Sequence, residues 1–227
     1  MTSLVMSKAT PIVFVVDDDS SVRESLEALI YFEGWHPVTF GSAHEFLEYR
    51  RIPVPNCLVL DVLLPDLNGL DLQERVVLER RDLPIIFITG HGDVPMTVRA
   101  MRAGAREFLT KPIDDEVLLT AIRAALECSR VALSREAKLE ALSNCYASLS
   151  GRERQVLSLV VSGLSNRQVG KELGISEGTV KTHRGNVMQK MKADSIPDLV
   201  KMANRLSSLV PGHEGSFEPV IDAEDFE

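Results

Sequence analysis

The sequence predicts a doubly wound α/β domain followed by a smaller all-helical unit, and three observations carry that prediction. First, four short apolar runs, IVFVV (12–16), CLVL (57–60), PIIFI (84–88) and REFLT (106–110), alternate with amphipathic stretches. Strands of a parallel sheet read this way because helices cover both of their faces. Second, each run ends at or beside a polar residue: Asp17 and Asp18, Asp61, Thr89, and Lys111. Ligands bind open α/β sheets outside the carboxyl ends of the strands, so these five residues would converge in space. Third, the pattern turns helical after Pro112, and neither Pro nor Gly interrupts residues 114–147.

The elements follow in order. Run 12–16 is the first strand. A helix opens near Ser20–Ser21, where Glu24 would complete a capping box with Ser21. WHPVTF (35–40) is the second strand, and Ser42 with Glu45 opens the next helix by the same device. The third strand ends at Asp61 and enters LLPDLNG (63–69), a turn rich in Pro, Asn and Gly. Helix 69–81, strand 84–88, helix 93–103 and strand 106–110 complete five βα units. Their short connections imply parallel strands with right-handed crossovers.

From Asp114 to about Ala147, Leu118, Leu119, Ile122, Ala125, Leu126, Leu133, Ala137, Leu139 and Leu142 recur at mixed steps of three and four. This reads as the last helix of the first domain running on into a helical linker. The alternative is two helices broken near 127–131. Apolar linker residues could pack on a second copy as a short coiled coil, although the heptad is irregular. Beyond it, Ser150-x-x-Glu153 and Ser165-x-x-Gln168 each open a helix as capping boxes. Leu173-Gly174-Ile175-Ser176 reads as a tight turn, with Gly174 left-handed and Ser176 capping a helix over 177–191. A last helix runs from about Ile196 to Leu206. The expected domains are therefore 1–125, a linker 126–148, a helical unit 149–206 and a tail 207–227.

The 227-residue chain carries a net charge of −8 that is unevenly spread. Residues 1–125 hold 12 basic against 19 acidic side chains, whereas residues 150–206 hold 10 against 5. The tail holds six acids and no Lys or Arg. An acidic front and a basic rear call for different partners. The tail reads as disordered; a second reading has it cover the basic helices. No apolar stretch is long enough to span a membrane, and the N-terminus lacks the pattern of a secretory signal. Three scattered cysteines, Cys57, Cys128 and Cys145, suit a reducing compartment. The expected location is the cytoplasm.

Three neighbouring carboxylates repel one another unless a cation compensates them. Mg2+ takes carboxylate and phosphate oxygens together with water. Asp18 and Asp61 are the expected direct ligands, Asp17 acts through water, and the Leu63 carbonyl can add an oxygen. The free oxygen of Asp61 can attack a phosphoryl donor and become an acyl phosphate. Thr89 and Lys111 would then hold the transferred oxygens, which is the positioning and charge neutralisation that phosphoryl transfer needs. A cis Lys111–Pro112 bond would aim the ammonium back at the site.

VVDDD (15–19), LDVLLPDLNG (60–69) and ITGHGDVPMTVRAMRAGAREFLTKP (88–112) resemble a response-regulator receiver domain, and GHGDVPM is similar to the FixJ branch in particular. The resemblance implies a flavodoxin-like (βα)5 fold with Asp61 as phosphoacceptor and a sensor histidine kinase as donor. It also implies a switch made by Thr89 and Phe108, and dimerisation on phosphorylation. Leu63 departs from the polar, Arg or Met residues common there. Leu63 and His91 flank the site, and Leu63 is expected to lengthen the phosphoryl lifetime by excluding water.

In helix 177–191, Val180, Val187 and Met191 fall on one line and pack inward, with Met188 at the edge. The opposite face presents Gly178, Lys181, Thr182, Gly185 and Gln189, which suits close approach to a major groove. Ser165-Asn166-Arg167 starts the preceding helix, where free amides suit a phosphate. Arg152, Arg154, Lys171, Arg184, Lys190 and Lys192 would add sequence-independent attraction. The stretch LSGRERQVLSLVVSGLSNRQVGKELGISEGTVKTHRGNVMQKM is similar to the four-helix LuxR-type helix-turn-helix of NarL/FixJ regulators. It implies that Thr179, Val180, Lys181, Thr182, His183 and Arg184 begin a recognition helix that reads promoter DNA as a homodimer. RNA polymerase is a further expected partner. Arg184 lies near the buried line, which favours a phosphate contact over a base contact. Gly170 stands where relatives usually carry Ala; its low helix propensity, about 1 kcal/mol below Ala, predicts a slightly loose helix.

The resulting expectation is a phosphorylation-controlled transcription regulator and not an enzyme. An aspartyl-phosphate hydrolase would need an acid at position 63, which is Leu. A signalling adaptor with protein-binding output is the other alternative.

Overall fold

The computed structural model of the protein describes residues 10–80, 82–90 and 92–207. His91 and residues 208–227, which make up all but the first position of the expected tail, lie outside the described residues. The chain divides into two compact units between Arg135 and Glu136. The first unit alternates β1 (Ile12–Val16), α1 (Ser20–Phe32), β2 (His36–Phe40), α2 (Ala43–Glu48), β3 (Asn56–Asp61), α3 (Gly69–Glu79), β4 (Ile85–Thr89), α4 (Val94–Arg102) and β5 (Glu107–Thr110), then enters α5 (Asp115–Ala147). All strands pair in parallel, in the order β2-β1-β3-β4-β5. This is the flavodoxin-like order. The winding reverses between β1 and β3, and a crevice opens there at the carboxyl ends.

Alternation along each strand sorts the core into two layers. Ile12, Phe14 and Val16 of β1 point to one side, with Phe46 of α2, Leu72 and Val76 of α3 and Ala100 of α4. Val13 and Val15 point to the other, with Leu26 and Ile30 of α1 and Leu118 and Ile122 of α5. β1, β3 and β4 are buried throughout, whereas the edge strands β2 and β5 are partly exposed. Continuous apolar runs therefore marked the central strands more clearly than the edges. Element ends differ from the sequence reading by one or two residues, where hydrogen-bonded ladders fray.

Helix α5 is uninterrupted through 127–131. Two helix starts differ from expectation. Asp19, not Ser21, caps α1: Asp19 Oδ1 accepts from the Ser21 amide at 2.8 Å and its hydroxyl at 2.6 Å. A carboxylate at that position serves the first free amides without Glu24. In α2, Ser42 accepts from the Glu45 amide, but Glu45 reaches the amide of Gly41 rather than that of Ser42.

The second unit holds α6 (Gly151–Val161), α7 (Asn166–Leu173), α8 (Glu177–Met191) and α9 (Ile196–Ser207). Both expected capping boxes form, at Ser150/Glu153 and Ser165/Gln168. Gly174 is left-handed (φ +64) and Ser176 caps α8. Val180, Val187 and Met191 are buried against Val156, Leu157 and Val169. The expectation of a loose helix at Gly170 is corrected. A Cβ there would lie 2.7 Å from the Ile175 carbonyl oxygen, so the missing side chain permits tight packing of α7 on the turn. The Ile175 amide in turn donates to the Gly170 carbonyl at 2.9 Å.

Candidate functional site

The crevice between β1 and β3 gathers its groups because three strands end there. Asp17 follows β1, and its backbone is held by the Phe40 carbonyl, which accepts from its amide at 3.2 Å. Asp61 is the last residue of β3 and lies level with Ile88 of β4. Lys111 follows β5, and its amide donates to the Thr89 carbonyl at 2.8 Å. The Lys111–Pro112 bond is cis, as expected. The Lys111 ammonium sits 2.7 Å from Asp17 Oδ2 and 2.7 Å from Asp61 Oδ2.

Donor oxygens of Asp17, Asp18 and Asp61 lie within 4.8 Å of one another. Asp17 and Asp61 are buried, and Asp18 is exposed. Burial pushes the Asp17 carboxyl up, against the pull of Lys111. Partial burial works against the Lys111 charge, but hydrogen bonds to the two carboxylates outweigh it and hold the ammonium above its usual value. Three carboxylates against one ammonium leave a formal excess of two negative charges in a partly desolvated pocket. An all-oxygen donor set with that deficit fits a hard divalent cation such as Mg2+.

The remaining expected residues occupy the same end of the sheet. Thr89 is fully buried at the end of β4. Phe108 of β5 pairs with Phe87 of β4, their ring centroids 5.9 Å apart. The Leu63 amide donates to Asp61 Oδ1 at 3.1 Å, and its side chain is 50% exposed. Two residues were missed by the sequence reading. Arg23 of α1 donates to the Asp17 carbonyl at 2.6 Å, so a cation braces the backbone of the acidic pair. Its spacing from Asp17 and its place in the first turns of α1 were the available signal. Gly69 packs on the end of β3: a Cβ there would lie 2.3 Å from the Asp61 carbonyl oxygen. The turn signal in LLPDLNG placed Gly69 but did not reveal that approach.

In the helical unit the exposed side of α8 presents Gly178, Thr179, Lys181, Thr182, Gly185 and Gln189. Lys181 pairs with Glu177 at 3.4 Å, the Thr182 hydroxyl donates to the Gly178 carbonyl, and Thr179 Oγ1 is 2.8 Å from Ser176 Oγ. His183 and Arg184 are half-buried. Arg184 Nη1 donates to Asn166 Oδ1 at 3.1 Å, and Ser165 is engaged with Gln168. Several basic residues also have internal partners. Lys190 meets Glu153 at 2.6 Å, Arg152 donates to the Leu173 carbonyl, and Arg154 stacks over Tyr146. Arg167, Lys171 and Lys192 are exposed.

A phosphoryl-type pocket on one unit and a helix-turn-helix on the other define a signal-receiving DNA-binding protein. Family models agree: "Response regulator receiver domain" matches residues 13–123, and "Bacterial regulatory proteins, luxR family" matches 147–203. Nodulation protein W of Bradyrhizobium diazoefficiens is 50% identical over 86% of each chain. The transcriptional regulatory protein FixJ of the same organism is 39% identical over 87% of this chain and 96% of its own. The solved response regulator StyR is 47% identical, covers 87% of this chain and 100% of its own, and superposes with a TM-score of 0.78. The chain belongs to the response regulators of the NarL/FixJ family, transcription regulators controlled by phosphorylation. The receiver and LuxR-type domains imply a histidine kinase and DNA as partners. Among the described residues no helix is long and apolar enough to cross a membrane.

Proposed function

We propose that Asp61 is the phosphoacceptor and that its phosphorylation drives dimerisation and sequence-specific DNA binding. A carboxylate oxygen of Asp61 bonds to phosphorus as the P–N bond of the kinase phosphohistidine breaks, and the histidine nitrogen keeps the electron pair. Lys111 and Thr89 hold the transferred oxygens, and Phe108 reports the position of Thr89. Asp17, Asp18, Asp61 and the Leu63 carbonyl hold Mg2+, which when bound neutralises the carboxylates and the phosphoryl oxygens. The observation that carries this reading is the Lys111 ammonium at 2.7 Å from both Asp17 and Asp61.

In the cytoplasm the phosphorylated homodimer places α8 in the major groove of promoter DNA. Lys181, Thr182 and Gln189 face the bases, with Thr179 and His183 beside them. Arg184, Ser165 and Asn166 lie toward the backbone, and RNA polymerase is the downstream partner. The exposed side of α8 and the Arg184–Asn166 bond support that arrangement.

Acetyl phosphate with MgCl2 tests the reading. The full chain gains a phosphoryl group, associates, and binds its own promoter more tightly. Asp61→Asn abolishes all three gains, while basal DNA binding remains. A phosphorylated chain that neither associates nor binds DNA in a salt-dependent way would favour the adaptor alternative. Leu63, half-exposed beside Asp61, shields the acyl phosphate from water. Leu63→Arg therefore speeds autodephosphorylation, read by loss of the phosphorylated band with time; an unchanged rate refutes that role.

A further inference from the structure

The β3–α3 connection, residues 62–68, is pinned at both ends. The Leu63 amide donates to Asp61 Oδ1, and the Gly69 amide donates to the Val62 carbonyl at 2.9 Å. Between these points Asp66 reaches a different element. Its Oδ2 accepts from the His44 amide at 2.8 Å and its Oδ1 from the Ala43 amide at 3.2 Å. These are the first amides of α2, which have no acceptor within their own helix. Ser42 serves the Glu45 amide, and Glu45 turns back to Gly41, so neither supplies Ala43 or His44. Asp66 takes up both from more than twenty residues away.

The carboxylate is suited to that task. Desolvation works against its charge, but the N–H groups of His44 and Ala43 outweigh it and keep the carboxyl below its usual range. Both oxygens are then acceptors at neutral pH. A side chain that only capped α2 would leave the connection free to shift with the pocket. Here the same bonds fix the middle of the segment whose first residues contact Asp61.

We propose that Asp66 is a positioning residue that ties the connection after Asp61 to the first turn of α2, so that occupation of the acidic pocket is transmitted to Ala43 and His44. The inference rests on the reading of the pocket as a Mg2+ and phosphoryl site. It reaches a part of the molecule, α2, that this reading leaves without a role.

Amide NMR of the 15N-labelled full chain titrated with MgCl2 tests it. In the unaltered protein the Ala43 and His44 amides shift with the same apparent constant as Asp18 and Val62. In Asp66→Ala the Asp18 and Val62 amides still respond, but the apparent Mg2+ constant weakens by about 10-fold, the low end for partners of metal-ligating groups. Ala43 and His44 then stop responding. Asp66→Asn, which keeps one oxygen acceptor, restores part of the affinity and part of the response. Unchanged Mg2+ affinity in Asp66→Ala, or Ala43 and His44 amides that stay silent while Asp18 responds, overturns the tether. A silent Asp18 amide in the unaltered protein overturns the reading of the pocket itself, and the tether with it.

Discussion

The acidic pocket takes Asp17 from the end of β1, Asp61 from β3 and Lys111 from beyond β5, whereas the outward face of α8 comes from fifteen consecutive residues. The Lys111–Asp17 pair spans 94 positions of sequence. Its charges are partly desolvated, so each group sets the state of its neighbours. The α8 face is solvated and held by local devices: the Ser176 cap, the Gly174 turn and a buried stripe of Val180, Val187 and Met191. In the first region one misplaced group should therefore disturb the rest. In the second, each side chain contributes in near independence. The difference predicts all-or-none effects around Asp61 and graded effects along α8.

Gly69→Ala is the hardest test of the pocket side. Its Cβ would meet the Asp61 carbonyl oxygen, a backbone atom that cannot swing aside. The receiver loses about 1–3 kcal/mol of stability, as overpacked sites do. A shift of Asp61 by about 1 Å slows phosphorylation by acetyl phosphate on the order of 10²-fold. Urea unfolding and a phosphorylation time course measure the two effects. Small losses in both would mean the pocket tolerates displacement, and the contrast with α8 would fail.

Lys181→Ala and Thr182→Ala come next. Each weakens binding to specific promoter DNA by about 1–3 kcal/mol if its side chain reads a base. If Lys181 contacts a phosphate instead, binding weakens evenly across sequences and the salt slope falls by about one. Fluorescence anisotropy with specific and scrambled duplexes at several salt concentrations separates the cases. The double variant adds the two losses if the positions are independent, and coupling between them would erode the comparison.

The smallest expected effect shows that the helical unit is not wholly local. Glu153 is 4% exposed. The Lys190 ammonium first, and the Ser150 amide second, hold its carboxyl down to about 2. Its folded value lies below the usual 4.5, so its stabilising contribution is complete above about 4.5 and is lost as pH falls toward 2. Protection of α6 amides in the full chain, measured against their intrinsic exchange rates, should fall over that window. Glu153→Gln should remove this pH dependence. A window unchanged by the substitution would assign it to other carboxylates.

Much of this was legible in the residues. Runs such as IVFVV and PIIFI marked central strands, because burial on both faces demands apolar side chains at every position. Capping boxes at Ser150 and Ser165 fixed two helix starts, because their partners lie three residues away. Asp19 displaced the expected Ser21 cap because a carboxylate two positions earlier serves the first free amides of the helix. Gly170 was misjudged from propensity alone, since the Ile175 carbonyl it accommodates is a packing fact.

By itself the sequence determined the order of elements, the buried stripe of α8 and the set of residue types at the strand ends, all of which follow from periods of two or 3.6 and contacts within a few positions. Only the tertiary structure decided that Lys111 bridges Asp17 and Asp61, that Arg23 braces Asp17, that Asp66 serves α2 and that Gly69 abuts the Asp61 backbone. The Lys111 and Asp66 contacts exist because parallel strand order places distant strand ends and connections side by side, whereas the Arg23 and Gly69 contacts lie within one strand–helix connection and follow from its turn geometry, which no hydrophobic period encodes.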